Sequence, residues 1–474
     1  MSAATTATKE RPTATRVATE PSIHVPSRED HFAKGKSLRA VLPRKDQGTW
    51  RAPKDRPDPI EILRKSDADR IAELVPIRYG RMLQSPFAFY RGSAAVMASD
   101  LSRLPNTGLR VQCCGDCHLA NFGGFATPER SIIFDINDFD ETLPAPWEWD
   151  IKRLVASIVL AARSVGLSDQ QAQECAVACA RTYRRRLNDC ARMDPLEVWY
   201  QKIGVDELLG LVPAAHRKRV LARIESATAS SGSELDFPKL AEPVGGKIRI
   251  REQPPLIFHP DSVREAGVED VLRQVFRSYR ETLLDDRRAL LDRYQLLDVA
   301  IKVVGIGSVG RRCWIALMMS ANNDPLFLQF KEAGPSVLEP FAGKSAQAHC
   351  GERVVRGQRL MQPVSDIFLG WVTGPTGRHL YVRQLRDAKI KPLIETFDLD
   401  LMEAYARACG WMLARAHAKV SEVAPIAGYL GTSSDAFDEA MGSFGIAYAD
   451  QAERDHAALK RAVRQGVITV FNEA

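Results

Sequence analysis

Residues 111–140, VQCCGDCHLANFGGFATPERSIIFDINDFD, constrain this chain more than any other stretch. Val111 to Cys114 has the composition of a short buried strand, and Ile132 to Phe134 that of a second. Between them lie a Gly-Asp turn and a glycine-rich loop that carries Asn121. The second run delivers Asp135, Asp138 and Asp140, with Glu141 directly after. Two strands joined by a loop are expected to bring Asp116, Asn121 and these acids to neighbouring strand ends. Carboxylates held that close repel one another unless a cation lies among them, and oxygen donors of this kind suit Mg²⁺. Phosphoryl transfer needs such a set. One Asp orients the acceptor hydroxyl and takes its proton, while an Asn and a second Asp hold metal on the nucleotide phosphates.

A second stretch supplies the opposite wall of such a site. Val299 to Val304 reads as a strand, and Gly305-Ile306-Gly307-Ser308-Val309-Gly310 is a full GxGxxG. Dinucleotide folds and kinase glycine loops share that pattern. A dinucleotide fold needs a helix directly after the glycines. Here Cys313 to Met318 is rich in β-formers, Asn322-Asn323-Asp324 offers a turn, and Leu326 to Lys331 reads as a returning strand. This favours the kinase arrangement, with the loop from Gly305 to Gly310 covering the phosphates and Lys331 reaching them. Arg311 to Met319 stays open as a helix. An acid on the next helix is expected to pair with Lys331, with Glu352 the first choice and Glu339 the alternative.

Gly115-Asp116-Cys117-His118-Leu119-Ala120-Asn121 resembles the GD-x-H-x-x-N catalytic loop of the aminoglycoside and choline phosphotransferases, members of the protein-kinase-like superfamily. The Asp-to-Asn spacing also matches the kinase catalytic loop. Asp138-Phe139-Asp140 resembles their metal segment, which implies Asp138 as a metal ligand, with Asn121 and Asp140 beside it. Trp149 to Leu154 resembles their following helix, whose leading Asp, here Asp150, braces the loop. Cys114 stands where that superfamily commonly has His. Through SPFAFYRG, CGDCHLANFG, FDINDFDETLP, GIGSVG, GQRLMQPVSDIFLGW and YVRQLRD the chain is similar to a bacterial family classed as a domain of unknown function, number twenty-two fifty-two.

The expected fold class is α+β: a protein-kinase-like two-lobed fold with a helical large lobe and a small β-rich nucleotide lobe. The catalytic loop precedes the glycine loop, which implies circular permutation, tolerable where termini meet at the surface. Residues 1–58 read as a basic segment, mostly disordered or draped over the body. Residues 59–297 form the catalytic lobe, 298–395 the nucleotide lobe, and 396–474 the helices completing the catalytic lobe. Residues 168–295 are expected to be largely helical, and Leu143-Pro144-Ala145-Pro146 to break the chain. Tyr381 to Leu385 reads as a strand leading to the hinge.

Composition narrows the partners. The net charge is +6, and residues 1–60 hold twelve Lys/Arg against seven Asp/Glu, so the remainder is near neutral and no nucleic-acid surface is expected. No stretch is long and apolar enough to suggest a membrane span. Nine cysteines do not suggest a disulfide framework, so a cytoplasmic setting is expected.

The function expected is ATP- and Mg²⁺-dependent phosphoryl transfer to a hydroxyl of an unidentified small molecule or peptide. AMP transfer on the same fold and a non-catalytic nucleotide-binding regulator are the rivals. A metal or redox site at Cys114, Cys117 and His118 lacks a second ligand pair, and core thiols account for these cysteines better. His118 is expected to make a structural hydrogen bond to its loop, and His417 to be packed. Arg184-Arg185-Arg186 reads as a solvated helix face. Phe87, Phe89 and Tyr90 beside Arg91 read as core aromatics with an arginine capping a helix or bracing Asp116 or Asp138, or alternatively as a clamp for an anion.

Overall fold

The computed structural model describes residues 26–229, 233–261, 268–385 and 389–471. The helix Glu148–Ser164 is the spine of one side, buried along nearly its whole length. Asp169–Cys190, Leu399–Ala418 and Ala436–Arg464 pack around it. Small residues let these helices approach closely. A Cβ on Gly410 would lie 2.3 Å from the carbonyl oxygen of Cys179. Arg184 is buried here, with Nη2 donating to Asp435 at 2.6 Å and to Asp438 at 2.7 Å. This corrects the solvated face expected for it.

Of the leading segment, residues 1–25 lie outside the described residues. The remainder of that segment is folded and lies over the body, the second of the two expectations for it rather than disorder. The helix Arg28–Ser37 starts with a capping box at Ser27 and lies on Ala424–Leu430. Arg56 then bridges Asp100 and Asp455 at 2.8 and 2.6 Å. These charge-assisted bonds fasten a chain too polar to bury itself.

The other side is a six-stranded antiparallel sheet in the order Gly370–Thr373, His379–Gln384, Pro325–Glu332, Cys313–Ser320, Tyr294–Lys302, Ile257–Phe258. Strand side chains alternate between faces, and here both faces are apolar. Ala316, Met318, Leu328 and Phe330 meet the helix Val268–Arg280 through Tyr279. Ile315, Leu317 and Phe327 meet Leu240 and Ile250. Residues 313–320 are thus strand, and the helical alternative is set aside. The Tyr294–Lys302 strand crosses the boundary expected at 298, and Val268–Arg280 packs on the sheet rather than on the helical side.

The largely helical reading of 168–295 needs the same correction. Ala241–Val244 and Lys247–Ile250 form a hairpin. Its turn is Gly245-Gly246, both at positive φ, the backbone a two-residue hairpin turn demands. Leu143–Pro146 is likewise not a break but a strand, paired with Arg110–Cys113 in a two-stranded sheet whose edges tolerate proline. Ile132–Ile136 pairs instead with Phe122–Ala126, so the glycine-rich segment after Asn121 is strand too. Among the described residues no helix is long and apolar enough to cross a membrane.

Candidate functional site

The loop after Cys113 is held by one side of the helix Glu148–Ser164. Asp150, Arg153 and Ser157 recur at helical spacing and face the same way. The backbone amides of Cys114 and Gly115 donate to the Asp150 carboxylate at 2.8 and 3.1 Å, and His417 Nε2 lies 3.3 Å from it. The amide of Leu119 donates to Ser157 Oγ at 2.9 Å. Arg153 Nε donates to Asp116 Oδ1 at 2.6 Å, and Arg153 Nη2 lies 2.5 Å from the same oxygen. Asn121 Nδ2 donates to the carbonyl of Asp116 at 2.8 Å, so its amide oxygen is the atom turned to other partners. Gly115 adopts φ +82°, where only glycine is relaxed, and a Cβ on it would lie 2.1 Å from the carbonyl oxygen of Glu141.

Past Ile136 the chain turns and presents its acids. The Asp140 amide donates to Asp138 Oδ1 at 3.1 Å. Lys331, buried on the strand Pro325–Glu332, reaches across: its Nζ is 2.5 Å from Asp140 Oδ2 and 3.7 Å from Asp138 Oδ2. The Tyr381 hydroxyl donates to Asp140 Oδ1 at 2.7 Å and Ser308 Oγ to Asp140 Oδ2 at 3.3 Å. The acids differ in protonation behaviour. Burial raises Asp138, and the neighbouring charge of Asp140 adds to that against Lys331 and Arg383. Burial acts upward on Asp140 as well, but the Lys331 charge and its hydrogen bond hold Asp140 well below the usual carboxylate range. Burial raises Asp116 despite the Arg153 guanidinium.

The glycine loop covers this set. Asp116, Asn121, Asp138, Asp140, Gly307 and Ser308 are among the residues lining one cavity of about 120 Å³. The loop is fastened from the opposite side: Arg70 donates to the carbonyl of Val309, Arg81 to that of Gly305, and the Ile71 amide to that of Gly310 at 2.8 Å. Gly305 and Gly310 adopt positive φ, whereas Gly307 does not. A separate apolar cavity of about 290 Å³ lies behind the strand Phe122–Ala126, among Phe134, Leu208, Ile390 and Tyr405.

Three expected partners are placed elsewhere. Asp135 is still inside the strand Ile132–Ile136, so strand alternation turns it away from the cavity and onto Arg415 at 2.5 Å. Glu352 does not meet Lys331; it accepts from Arg356 Nε at 2.7 Å, four residues along its own helix. Glu339 accepts from the Ser336 amide at 3.2 Å. The helix Cys350–Met361 reaches the site through Arg353 instead, which donates to the carbonyls of Thr142 and Asp140 at 2.6 and 2.8 Å. The expected side-chain hydrogen bond from His118 to its loop is absent among the described residues. Its Nδ1 has no partner, and its Nε2 lies 3.9 Å from Asp116 Oδ2.

Cys114 and Cys117 are buried thiols that approach Asp150. Asp150 already serves the loop amides, and this group offers a metal three ligands, short of a structural zinc set. Sequence reasoning passed over Arg153, Arg353 and Tyr381 as site residues. Arg153 had a signal: a charged residue one turn after Asp150, on the same face of the helix.

The chain belongs to the bacterial family described as uncharacterized protein conserved in bacteria (DUF2252), whose model matches residues 70–462. No curated protein and no solved structure matches it.

Proposed function

We propose that this member of a bacterial family is an ATP- and Mg²⁺-dependent phosphotransferase with a protein-kinase-like, circularly permuted fold. The observation that carries the reading is the contact of Lys331 with Asp138 and Asp140, two acids that line one cavity with Asp116, Asn121 and the glycine loop. The strand order supports it as well. The glycine loop joins two paired strands, and the next strand in the sheet carries the lysine, as in a kinase small lobe. A non-catalytic binding module has no use for Asp116 beside the phosphate-covering loop.

The donors suit the metal. Two carboxylates and an amide oxygen are hard ligands, and the Lys331 ammonium already stands between the two acids where a cation is favoured. Asn121, Asp138 and Asp140 would hold Mg²⁺, which neutralises phosphate charge when bound. Lys331 then turns from the carboxylates to the nucleotide phosphates, and the loop amides cover them. Asp116, positioned by Arg153, takes the proton of the acceptor hydroxyl. The acceptor oxygen bonds to the γ-phosphorus, the bond from that phosphorus to the β–γ bridging oxygen breaks, and ADP leaves with the electron pair. Glu352 has no part in this scheme.

The test is calorimetric titration of a non-hydrolysable ATP analogue with and without Mg²⁺. Wild-type protein binds it with Mg²⁺, and Asp138→Ala loses the Mg²⁺ dependence. Absence of binding to the wild type sinks the proposal. Product mass separates phosphoryl from AMP transfer.

A further inference from the structure

Four arginines line the cavity; Arg70 and Arg78 share Asp67 and Arg311 faces Glu141, which leaves Arg91 outside any ion pair among the described residues. Asp116 is taken by Arg153, and Asp138 and Asp140 share Lys331. Glu141 accepts from the Val337 amide at 2.7 Å and lies 3.8 Å from Arg311. Arg91, at the last turn of the helix Pro86–Gly92, lines the same cavity, and its buried Nε has no hydrogen-bond partner among the described residues. The bracing role expected of it belongs to Arg153. Its guanidinium lies 6.0 Å from the Phe87 ring, which orients it without neutralising it. A half-buried guanidinium whose one acidic neighbour, Asp116, is already held by Arg153 is better satisfied when an anion meets it.

Its position says which ligand that is. Asp116 lines the cavity together with Arg91, and His118 Nε2 lies 3.9 Å from Asp116 Oδ2. His118, whose Nδ1 is also buried and has no hydrogen-bond partner among the described residues, lines the cavity as well. Arg91 thus stands between His118 and Asp116 on one side and the glycine loop on the other, where a Cβ on Gly307 would lie 3.4 Å from the Arg91 carbonyl oxygen, whereas Arg311 faces Glu141.

We propose that the acceptor carries an oxyanion, a phosphate or carboxylate group, held by the Arg91 fork with His118 beside it, so that its hydroxyl is delivered to Asp116. This rests on the phosphotransferase reading for the word acceptor, but the oxyanion site itself does not. A planar guanidinium suits two oxygens of one anion, which a lysine cannot match.

The test is calorimetric titration of inorganic phosphate, and in a second arm acetate, into full-length protein saturated with the Mg²⁺–ATP analogue. One of the two anions binds the wild type in the presence of the nucleotide, and which one names the group. Arg91→Gln weakens that binding by about tenfold or more, and Arg91→Lys by an intermediate factor, at unchanged nucleotide affinity. Nucleotide affinity thereby reports that the variants are folded. The proposal is overturned if neither anion binds, if nucleotide displaces the anion, or if Arg91→Gln binds it as the wild type does. Should the nucleotide itself fail to bind, the phosphotransferase reading falls alone, and Arg91-dependent phosphate or acetate binding still decides the oxyanion site.

Discussion

The ammonium of Lys331 stands 2.5 Å from Oδ2 of Asp140, joining the sheet to the helical side through one buried ion pair. Asp138 sits on the same cation at 3.7 Å. Removing the lysine leaves two carboxylates side by side, which must then keep a proton or recruit another cation. Lys331→Met is therefore expected to unfold at a lower temperature than the wild type. It should recover more of that loss than the wild type gains when Mg²⁺ is added or pH is lowered. The sign comes from the pair: without Lys331 its upper pKa rises, so stability present at low pH is lost as pH increases. Thermal unfolding with EDTA and with Mg²⁺, at pH 5 and pH 7.5, gives the answer. Equal losses under all four conditions refute the ion-pair account.

Asp116 titrates above the usual carboxylate range because burial outweighs Arg153. If Asp116 accepts the acceptor's proton, turnover falls as pH drops through that raised value. Arg153→Met removes the opposing charge and moves the acidic limb of the kcat/KM profile upward. Arg153→Lys, which keeps the charge, moves it less. A limb that stays in place in Arg153→Met assigns the proton to another group.

Much of this site is written in local pattern, and its failures have identifiable causes. Runs of β-forming residues on either side of GIGSVG place the glycine loop between paired strands, and the returning strand brings Lys331 to Asp138 and Asp140. Asp116 and Asn121 lie in one short loop, so their proximity is covalent in origin. Asp135 escapes because its role depends on where the strand ends: one more strand residue, Ile136, turns it to the core. Glu352 and Arg353 are adjacent on one helix, and about 100° of rotation decides which faces inward. Periodicity alone leaves that rotation free. Arg184 is misread because its partners, Asp435 and Asp438, lie far along the chain. The Gly245-Gly246 hairpin, by contrast, carries its own signal, which the helical reading of that region overlooks.

Gly115 joins Asp116 to the strand Arg110–Cys113 at a positive φ that an alanine adopts only under strain. Its missing side chain also makes room for the Glu141 carbonyl. Gly115→Ala is expected to cost about 1–3 kcal/mol of stability and to push the loop away from Asp150. Nucleotide affinity should fall less than turnover, because the glycine loop and Lys331 lie on the other wall. Thermal unfolding and calorimetry check the two halves. Unchanged turnover at wild-type stability contradicts the close contact with Glu141.

The other acid of the 135–140 run makes a stability prediction independent of any activity. Asp135 and Arg415 are both fully buried, 2.5 Å apart, and Arg415 Nη1 also donates to the carbonyl of Met361 at 2.5 Å. Burial pushes Asp135 up to about 6 in spite of Arg415 and the Ile136 amide. A raised acid contributes stability below the usual carboxylate range, and that contribution is lost as pH rises toward about 6. Arg415→Met leaves the carboxylate without its cation and raises it further, so the window extends upward. The expected loss is about 3–5 kcal/mol near neutral pH, where an unpaired buried charge must be accommodated. The loss should be smaller at pH 5, where Asp135 keeps its proton at little cost. Urea denaturation of Arg415→Met at pH 5 and pH 7.5 measures the difference. The same loss at both values means that Arg415 stabilises through packing and its bond to Met361 alone.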